Sequence, residues 1–414
     1  MPIEELHYRA KRVFHFFKTG LGKGLRAQIK YGFPARKLTI LAVTGTDGKT
    51  TSATMLYQVL KAAGKKVALL STVAAYIGSE ELDTGFHVTT PDADELQRFL
   101  AKMVKADIEY VVMEATSHGI YQYRTWGVKP KIVGYTNITR EHLDYHKTYE
   151  LYLEAKALLG QQAETVILNA DDELSFSKLK KILDDHQRKI LTYSHTDSIP
   201  VKVRQAITRQ FPEAYNQLNA RLVYAFAKEL EIDNKFFVTA MDEFQNVPGR
   251  MQTVIKTPQL EVIVDFAHTP NALQAALTAT RQRMNAHRKK GRLIAVFGCA
   301  SKRDVSKRPV MGRIGAELAD LAVFTAEDPR MEDVWSIFRQ MKSELGPFHA
   351  KVLTIPDRRQ AIEFTLQELI QPGDVVMLLG KGHEKSICYG TTEYPWSDSL
   401  VAQEALKGQP KKES

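Results

Sequence analysis

Between positions 45 and 51 the chain reads Gly45-Thr46-Asp47-Gly48-Lys49-Thr50-Thr51, which puts two glycines, a cation and three hydroxyls within seven residues. That set suits a triphosphate. Glycines let backbone N–H groups come close to phosphate, Lys49 adds positive charge, and the Thr50 hydroxyl can ligate Mg²⁺. An apolar, β-branched run at 38–43 leads into it, and Ala53, Leu56, Tyr57, Leu60 and Ala63 follow at helical spacing. The plainer alternative is a Gly-rich turn ahead of an ordinary helix, but Gly-Lys-Thr stands where strand gives way to helix, as phosphate binding demands. The longer form of this loop would require Gly at position 43, where Val43 stands. The loop is therefore of the short GxxGKT kind.

Further chemistry-bearing residues cluster behind apolar runs downstream. A strand pattern at 110–113 ends in Glu114-Ala115-Thr116-Ser117-His118, and one at 132–135 runs into Thr136-Asn137 and then Glu141-His142. Open α/β sheets place their sites at such strand ends. Glu114 offers Mg²⁺ a hard oxygen and His142 a less usual nitrogen. Taken alone, each is equally a satisfied polar group in a loop, and Lys156 is an ordinary surface lysine.

These residues need a scaffold, and the pattern supplies one. Strand candidates at 66–70, 110–113, 132–135 and 165–168 alternate with helix candidates at 92–105 and 149–162. A second series after Pro248-Gly249 has strands at 260–265, 293–297, 322–325 and 374–379. The expectation is an α/β protein with a P-loop-containing central domain on a mostly parallel sheet and a C-terminal Rossmann-like α/β domain. The expected boundaries are a basic aromatic segment at 1–37, a central domain at 38–247 and a C-terminal domain at 248–414.

A chain of 414 residues exceeds what one core serves, and 44% hydrophobic and 25% charged residues are ordinary for a globular protein. No apolar run reaches membrane-spanning length and no secretory leader pattern stands at the start, so a cytoplasmic protein is expected. Cys299 and Cys388 lie far apart without metal-ligand spacing and read as plain core or near-site residues. The net charge is +9, yet residues 1–37 carry nine basic side chains against two acidic, a net +7, on a nearly neutral body. That argues for a local surface contact rather than nucleic acid. Within residues 7–31 aromatics interleave with Arg and Lys, which fits either an amphipathic helix on a membrane surface or a helix packing its aromatic side on the next domain. Gly20, Gly22 and Gly24 interrupt the pattern.

GTDGKTT is followed in order by HVTTPD (87–92), MEATSHGIYQYR (113–124), TNITREHLDYH (136–146), YLEAK (152–156) and YNQLNA (215–220). VPGRM (247–251), VDFAHTPNAL (264–273), FGCASKRDVSKRP (297–309), AEDPR (326–330) and GKGHE (380–384) continue the series. Together they resemble the Mur ligases, the ATP-dependent amide ligases of peptidoglycan precursor synthesis, and most of all the UDP-N-acetylmuramoyl-tripeptide synthetases. The resemblance implies an EC 6.3.2-type ligase with ATP and two Mg²⁺ sites. Lys49 and Thr50 would hold the triphosphate, with Gly45, Thr46, Asp47, Gly48 and Thr51 around it. Thr50, Glu114 and His142 would serve Mg²⁺, and Lys156 matches a position carbamylated in that family, which makes a carboxylate-like ligand for the second ion. Asn219, with Asn216 beside it, would read adenine; Arg250, Asp265 and His268 would bring the second domain to phosphate and ribose. The implied reaction turns a muramyl-peptide carboxylate into an acyl phosphate, which the amine of a free amino acid then attacks. Both steps gather negative charge, so catalysis is mainly positioning and charge stabilisation.

Thr89, Thr90, Thr116, Gln122 and Arg124 match acceptor-contacting positions, and Arg303, Asp328, Arg330, Gly380 and Glu384 match the amino-acid pocket. Relatives using meso-diaminopimelate read Asp-Asn-Pro-Arg where this chain has Glu327-Asp328-Pro329-Arg330. Arg330 favours a distal carboxylate, and the extra charge of Asp328 suits a cationic group, so a diamino dicarboxylic acid is expected. Two departures stand out. Asp47 replaces the usual Asn, and only 37 residues precede position 38, too few for the family's UDP-binding domain. The basic arm is therefore expected to contact phosphate or a membrane, with a lipid-linked acceptor as one consequence. A ligase for a non-muramyl acceptor, folylpolyglutamate-like or building an amino-acid polymer, is the alternative, followed by a non-catalytic nucleotide-binding scaffold. A monomer is the family-level expectation.

Overall fold

The structure, a computed structural model, describes residues 3–73, 75–77, 80–82, 90–287, 290–301 and 304–407. The chain divides into two compact units, Met1–Gln245 and Asn246–Ser414.

The first unit is built on an eight-stranded sheet. Its strands are β1 (Thr39–Thr44), β2 (Val67–Leu70), β3 (Ala75–Ile77), β4 (Glu80–Leu82), β5 (Tyr110–Glu114), β6 (Ile132–Tyr135), β7 (Thr165–Asn169) and β8 (Lys189–Tyr193), in the order β4-β3-β2-β5-β1-β6-β7-β8. From β2 to β8 every pairing is parallel, and only β3 and β4 fold back antiparallel at one edge. Residues Ile40 to Thr44 of β1 are buried without alternation, as expected for a strand covered by helices on both faces. The core gathers Ile40, Ala42, Val111, Met113, Val133 and Val166 beneath Leu96, Leu100 and Met103 of the helix Ala93–Lys105. Because β1 lies between β5 and β6, the loops leaving these three strands meet at one edge, and the motifs at 45–51, 114–118 and 136–142 belong to them.

The second unit carries a six-stranded sheet of β9 (Gln252–Lys256), β10 (Leu260–Asp265), β11 (Leu293–Phe297), β12 (Leu321–Phe324), β13 (Val352–Thr354) and β14 (Asp374–Leu379). The order is β13-β12-β11-β14-β10-β9, parallel except for the β9 edge. A separate antiparallel ribbon pairs β15 (Ser386–Tyr389) with β16 (Thr392–Pro395).

The N-terminal arm packs part of its aromatic side on the first unit, as one reading of its sequence has it, but it runs on past its glycines. Its glycines do not break it: the helix Ile3–His15 passes through a π-helical stretch, Phe16–Leu25, into Arg26–Tyr31. Gly20 and Gly24 are there for close approach, since a Cβ at either would lie 3.0 Å and 2.8 Å from Trp126. Phe16 packs edge-on against Tyr123 and Trp126, and Tyr8 stacks on Tyr121. The rest of the apolar side, including Phe14 and Phe17, faces away from the unit. Among the described residues no helix is long and apolar enough to cross a membrane.

Candidate functional site

The loop 45–48 turns sharply between β1 and the helix Lys49–Ala62, and its glycines are required where they stand. Gly48 caps that helix at φ 81°, and a Cβ there would fall 2.4 Å from Asn219 Oδ1; one on Gly45 would fall 1.9 Å from Thr136 Oγ1. The loop is clamped from β6. Thr46 N–H donates to Asn137 O (2.7 Å), Asp47 N–H donates to Asn137 Oδ1 (3.1 Å), and Thr136 Oγ1 donates to Asp47 O (2.6 Å). Asn137 and Thr136 were not assigned a site role from sequence; their place directly after a strand end was the available signal. The residue at position 47 contributes backbone to this clamp, which leaves the Asp side chain there without an account.

Three of the expected ligand positions gather at the loop. Thr50 Oγ1 donates to Glu114 Oε1 at 3.0 Å, and Glu114 Oε2 accepts from Thr72 N–H (2.8 Å) and Thr72 Oγ1 (3.1 Å). This buried corner of a carboxylate and hydroxyl oxygens is a donor set that suits Mg²⁺. Lys156, on the helix Tyr149–Gly160, is not the surface lysine that its sequence context allows. It is buried, with Nζ donating to Gly45 O at 2.6 Å and lying 4.8 Å from the centre of the Tyr152 ring. Desolvation, reinforced by Lys49, holds its amine well below the usual lysine range. Lys49 Nζ donates to Thr46 O at 2.7 Å, so its ammonium lies at the loop. Thr51 is buried in the first turn of the same helix.

His142 has a different setting. It is the left-handed residue (φ 56°) heading the short helix Leu143–His146, and its ring meets His118 edge-on at 4.7 Å and lies 3.9 Å from the Glu141 carboxylate. Among the described residues no group of three or more His, Cys, Asp or Glu forms a metal cage. Asn219 and Asn216 lie one turn apart on the helix Ala214–Glu229, joined by a 3.3 Å amide contact, with Asn219 against Gly48.

The acceptor-side residues form one hydrogen-bonded set around the helix Ser117–Tyr121. Thr116 Oγ1 caps it by accepting from Gly119 N–H, and the same oxygen lies 3.0 Å from Thr90 Oγ1. Arg124 donates to Thr90 O and to Gln122 Oε1, each at 3.0 Å, and Gln122 Nε2 donates to Tyr145 OH at 2.8 Å. Thr89 lies outside the described residues. Behind the set runs a buried line that the sequence did not announce: Tyr8 OH is 2.6 Å from His146 Nδ1, and His146 Nε2 is 2.9 Å from Ser117 Oγ. Burial, with His118 and Lys156 nearby, pushes His146 down to about 2, so the ring is neutral.

In the second unit, Asp265 ends β10 and accepts from Met251 N–H (2.7 Å) and Ala267 N–H (2.9 Å). The Arg250 guanidinium lies 4.5 Å over the Phe266 ring, and His268 Nδ1 is 2.9 Å from Phe266 O. Asp328, Gly380 and Glu384 meet around Lys381. Lys381 Nζ, fully buried, is 2.9 Å from Asp328 Oδ1 and 2.5 Å from Glu384 Oε2. Asp328 thus shares one lysine with Glu384, and the trio keeps a net negative charge. Arg330 holds the ribbon by backbone, its N–H donating to Cys388 O at 3.1 Å, with an exposed side chain. Arg303 lies outside the described residues. Glu327 is the residue that sequence reasoning passed over. It is buried, a Cβ on Gly380 would lie 2.9 Å from its Oε2, and desolvation raises its pKa to about 7 against the pull of Lys307.

Known proteins resemble the chain over most of its length. Residues 43–242 match the Mur ligase middle domain, and residues 249–382 match the Mur ligase glutamate ligase domain. The chain is 36% identical over 398 residues to the UDP-N-acetylmuramoyl-L-alanyl-D-glutamate–2,6-diaminopimelate ligase of Clostridium botulinum, covering 91% of this chain and 80% of that one. It is 38% identical over 377 residues to the enzyme of the same name from Parabacteroides distasonis, covering 87% and 76%. A solved ligase of that name superposes with a TM-score of 0.56 at 32% identity, over 89% of this chain and 78% of that one. The Mycobacterium tuberculosis folylpolyglutamate synthase shares the fold, with a TM-score of 0.69 at 15% identity over 98% and 99% of the two chains.

Proposed function

The chain belongs to the Mur ligase family of ATP-dependent acid–amino-acid ligases, and we propose on that premise that it joins a diamino acid to a muramyl peptide in peptidoglycan precursor synthesis. The relatives' substrate, 2,6-diaminopimelate, is the proposed amino acid. The observation that carries the chemistry is the Thr50–Glu114 hydrogen bond of 3.0 Å at the phosphate loop, which sets hard oxygens beside the helix N-terminus where a triphosphate is favoured.

ATP and Mg²⁺ serve Mur ligases generally, and here the loop amides, Lys49 and Thr50 are proposed to hold the phosphates, with Thr50, Glu114 and His142 turned to the metal. Bound Mg²⁺ neutralises charge as phosphate is transferred. The acceptor is proposed to lie on the set of Thr90, Thr116, Gln122 and Arg124, where the guanidinium can hold an anionic group. The acceptor carboxylate takes the γ-phosphoryl group and ADP leaves; the neutral amine of the amino acid then attacks the acyl carbon, and phosphate departs with formation of the amide. In the second unit, Arg250, Asp265 and His268 are proposed to meet the nucleotide. Arg330 is proposed to meet the distal carboxylate of the amino acid, and Lys381 to hold Asp328 and Glu384 in place for its remaining groups.

Lys156 is proposed to be carbamylated. Desolvation favours the neutral form of this buried amine, whose lone pair can add to CO₂ with release of one proton, giving a carbamate anion as a carboxylate-like ligand for a second Mg²⁺. The reaction is proposed to run in the cytoplasm, with the enzyme as a monomer. The test is ADP release measured over a panel of acceptors and amino acids. Release that needs both a muramyl dipeptide nucleotide and a diamino acid supports the reading, whereas release with pteroylglutamate and glutamate instead would replace it.

A further inference from the structure

Among the described residues, six of the fourteen large apolar side chains most exposed to solvent lie within the first 29 positions. Their arrangement is not scattered. Ile3 (80% exposed), Leu6 (57%), Val13 (57%), Phe14 (55%) and Phe17 (62%) recur at three- and four-residue spacing, and exposed Ala10 falls in the same row. They form one stripe along the helix Ile3–His15 and its continuation. The opposite side of that helix is occupied: Tyr8 is stacked on Tyr121, Arg12 lies over the Tyr123 ring at 5.7 Å, and His15 meets Tyr121 edge-on. The helix is therefore docked through its mixed face, with its apolar stripe turned outward, the reverse of how an ordinary surface helix packs.

Single exposed apolar residues need no explanation, but a continuous stripe of this kind marks a contact. Charge selects the occupant. Residues 1–37 carry a net +7. Exposed Lys11 and Lys18 border the stripe on one side, and on the other stands Arg9, paired with Glu5 and Glu154. Lys11 and Lys18 lie over the rings of Tyr145 and Phe14, and among the described residues neither pairs with a carboxylate. Pairing the stripe with a second copy of itself would bring these cations face to face, which disfavours self-association. An apolar row bordered by cations fits an anionic bilayer, with the rings and branched chains among the acyl groups and the ammonium groups at the phosphates.

We propose that the arm seats the protein on an anionic lipid surface through Leu6, Val13, Phe14 and Phe17, lying parallel to that surface. Gly20 and Gly24, pressed on Trp126, and Tyr8, buried on Tyr121, fix the arm to the first unit, so the lipid contact is rigidly coupled to it. The contact is peripheral, and it does not depend on which amino acid or acceptor the enzyme uses, because it is read without turnover.

The test is co-sedimentation of the full chain with phosphatidylglycerol vesicles and with phosphatidylcholine vesicles. Binding is expected to the anionic vesicles, to weaken with added salt, and to fall about 10-fold or more in V13D/F17D, whose positions are exposed and whose melting and circular dichroism should match the parent. K11Q/K18Q should lose preference for the anionic vesicles. Absence of binding by the intact chain would overturn the proposal, as would binding indifferent to V13D/F17D. A lipid-free dimer in analytical ultracentrifugation that V13D/F17D dissolves, without vesicle binding, would assign the stripe to a second copy instead.

Discussion

Substituting Glu327 by Gln should change how stability depends on pH, with little change at acid pH. The Glu327 carboxyl is raised from the ordinary 4.5 to about 7, chiefly by burial. Between those values the unfolded chain has released its proton and the folded chain still holds it. Stability therefore falls as pH rises from about 4.5 towards 7 and levels off once the folded group has also ionised. At about 1.4 kcal/mol for each pH interval of one between those two values, the loss is roughly 3 kcal/mol, the pull of Lys307 and Lys381 on the carboxylate being already contained in the value of about 7. The Gln variant has the shape of the protonated acid and no charge to bury, so it should gain on the parent across that window. Urea denaturation followed by tryptophan fluorescence at pH 5, 6, 7 and 8 reads the difference, since Trp335 and Trp396 both belong to the second unit. Curves for the two proteins that run parallel over the whole range would refute the reasoning.

Other consequences are as direct. T50V and E114Q should each lower Mg²⁺-dependent ADP release by about 100-fold or more while leaving melting within a few degrees, because they remove hard oxygens from the phosphate loop; near-parental turnover would contradict the role given to that corner. With ¹³C-bicarbonate the intact protein should show a carbamate carbon resonance that K156A lacks, and its absence from the intact protein would exclude carbamylation of Lys156. Y8F takes the hydroxyl from His146 Nδ1 and should destabilise the first unit by about 1–3 kcal/mol, read by denaturation, because the buried ring nitrogen loses its partner.

Much of the fold was legible because its central strands are bounded runs of β-branched and aliphatic residues. Those at 132–135, 260–265, 293–297 and 374–379 lie where the pattern put them. The edges were not legible. Strand β8 buries only Tyr193 fully and begins with a lysine, and β3, β4 and β13 are three-residue pieces without a full alternating period. Gly20 and Gly24 read as breaks because local propensity cannot show Trp126, a hundred residues away, that requires them. In the same way, YLEAK within a helical pattern does not disclose that Lys156 is buried against the Gly45 carbonyl. The phosphate loop and its glycines were readable as local chemistry; Glu327, Lys381 and the Tyr8–His146–Ser117 line depend on contacts between distant segments.

The central claim is that this chain makes an amide bond between a muramyl peptide and a diamino acid at the expense of ATP. The most direct measurement is mass spectrometry of the product after incubation with ATP, Mg²⁺, UDP-N-acetylmuramoyl-L-alanyl-D-glutamate and meso-diaminopimelate. The expected product is heavier than the acceptor by one diaminopimelate residue, formed one for one with ADP and phosphate and absent when any component is left out. An unchanged acceptor, or ADP formed at the same rate without the amino acid, would contradict the claim.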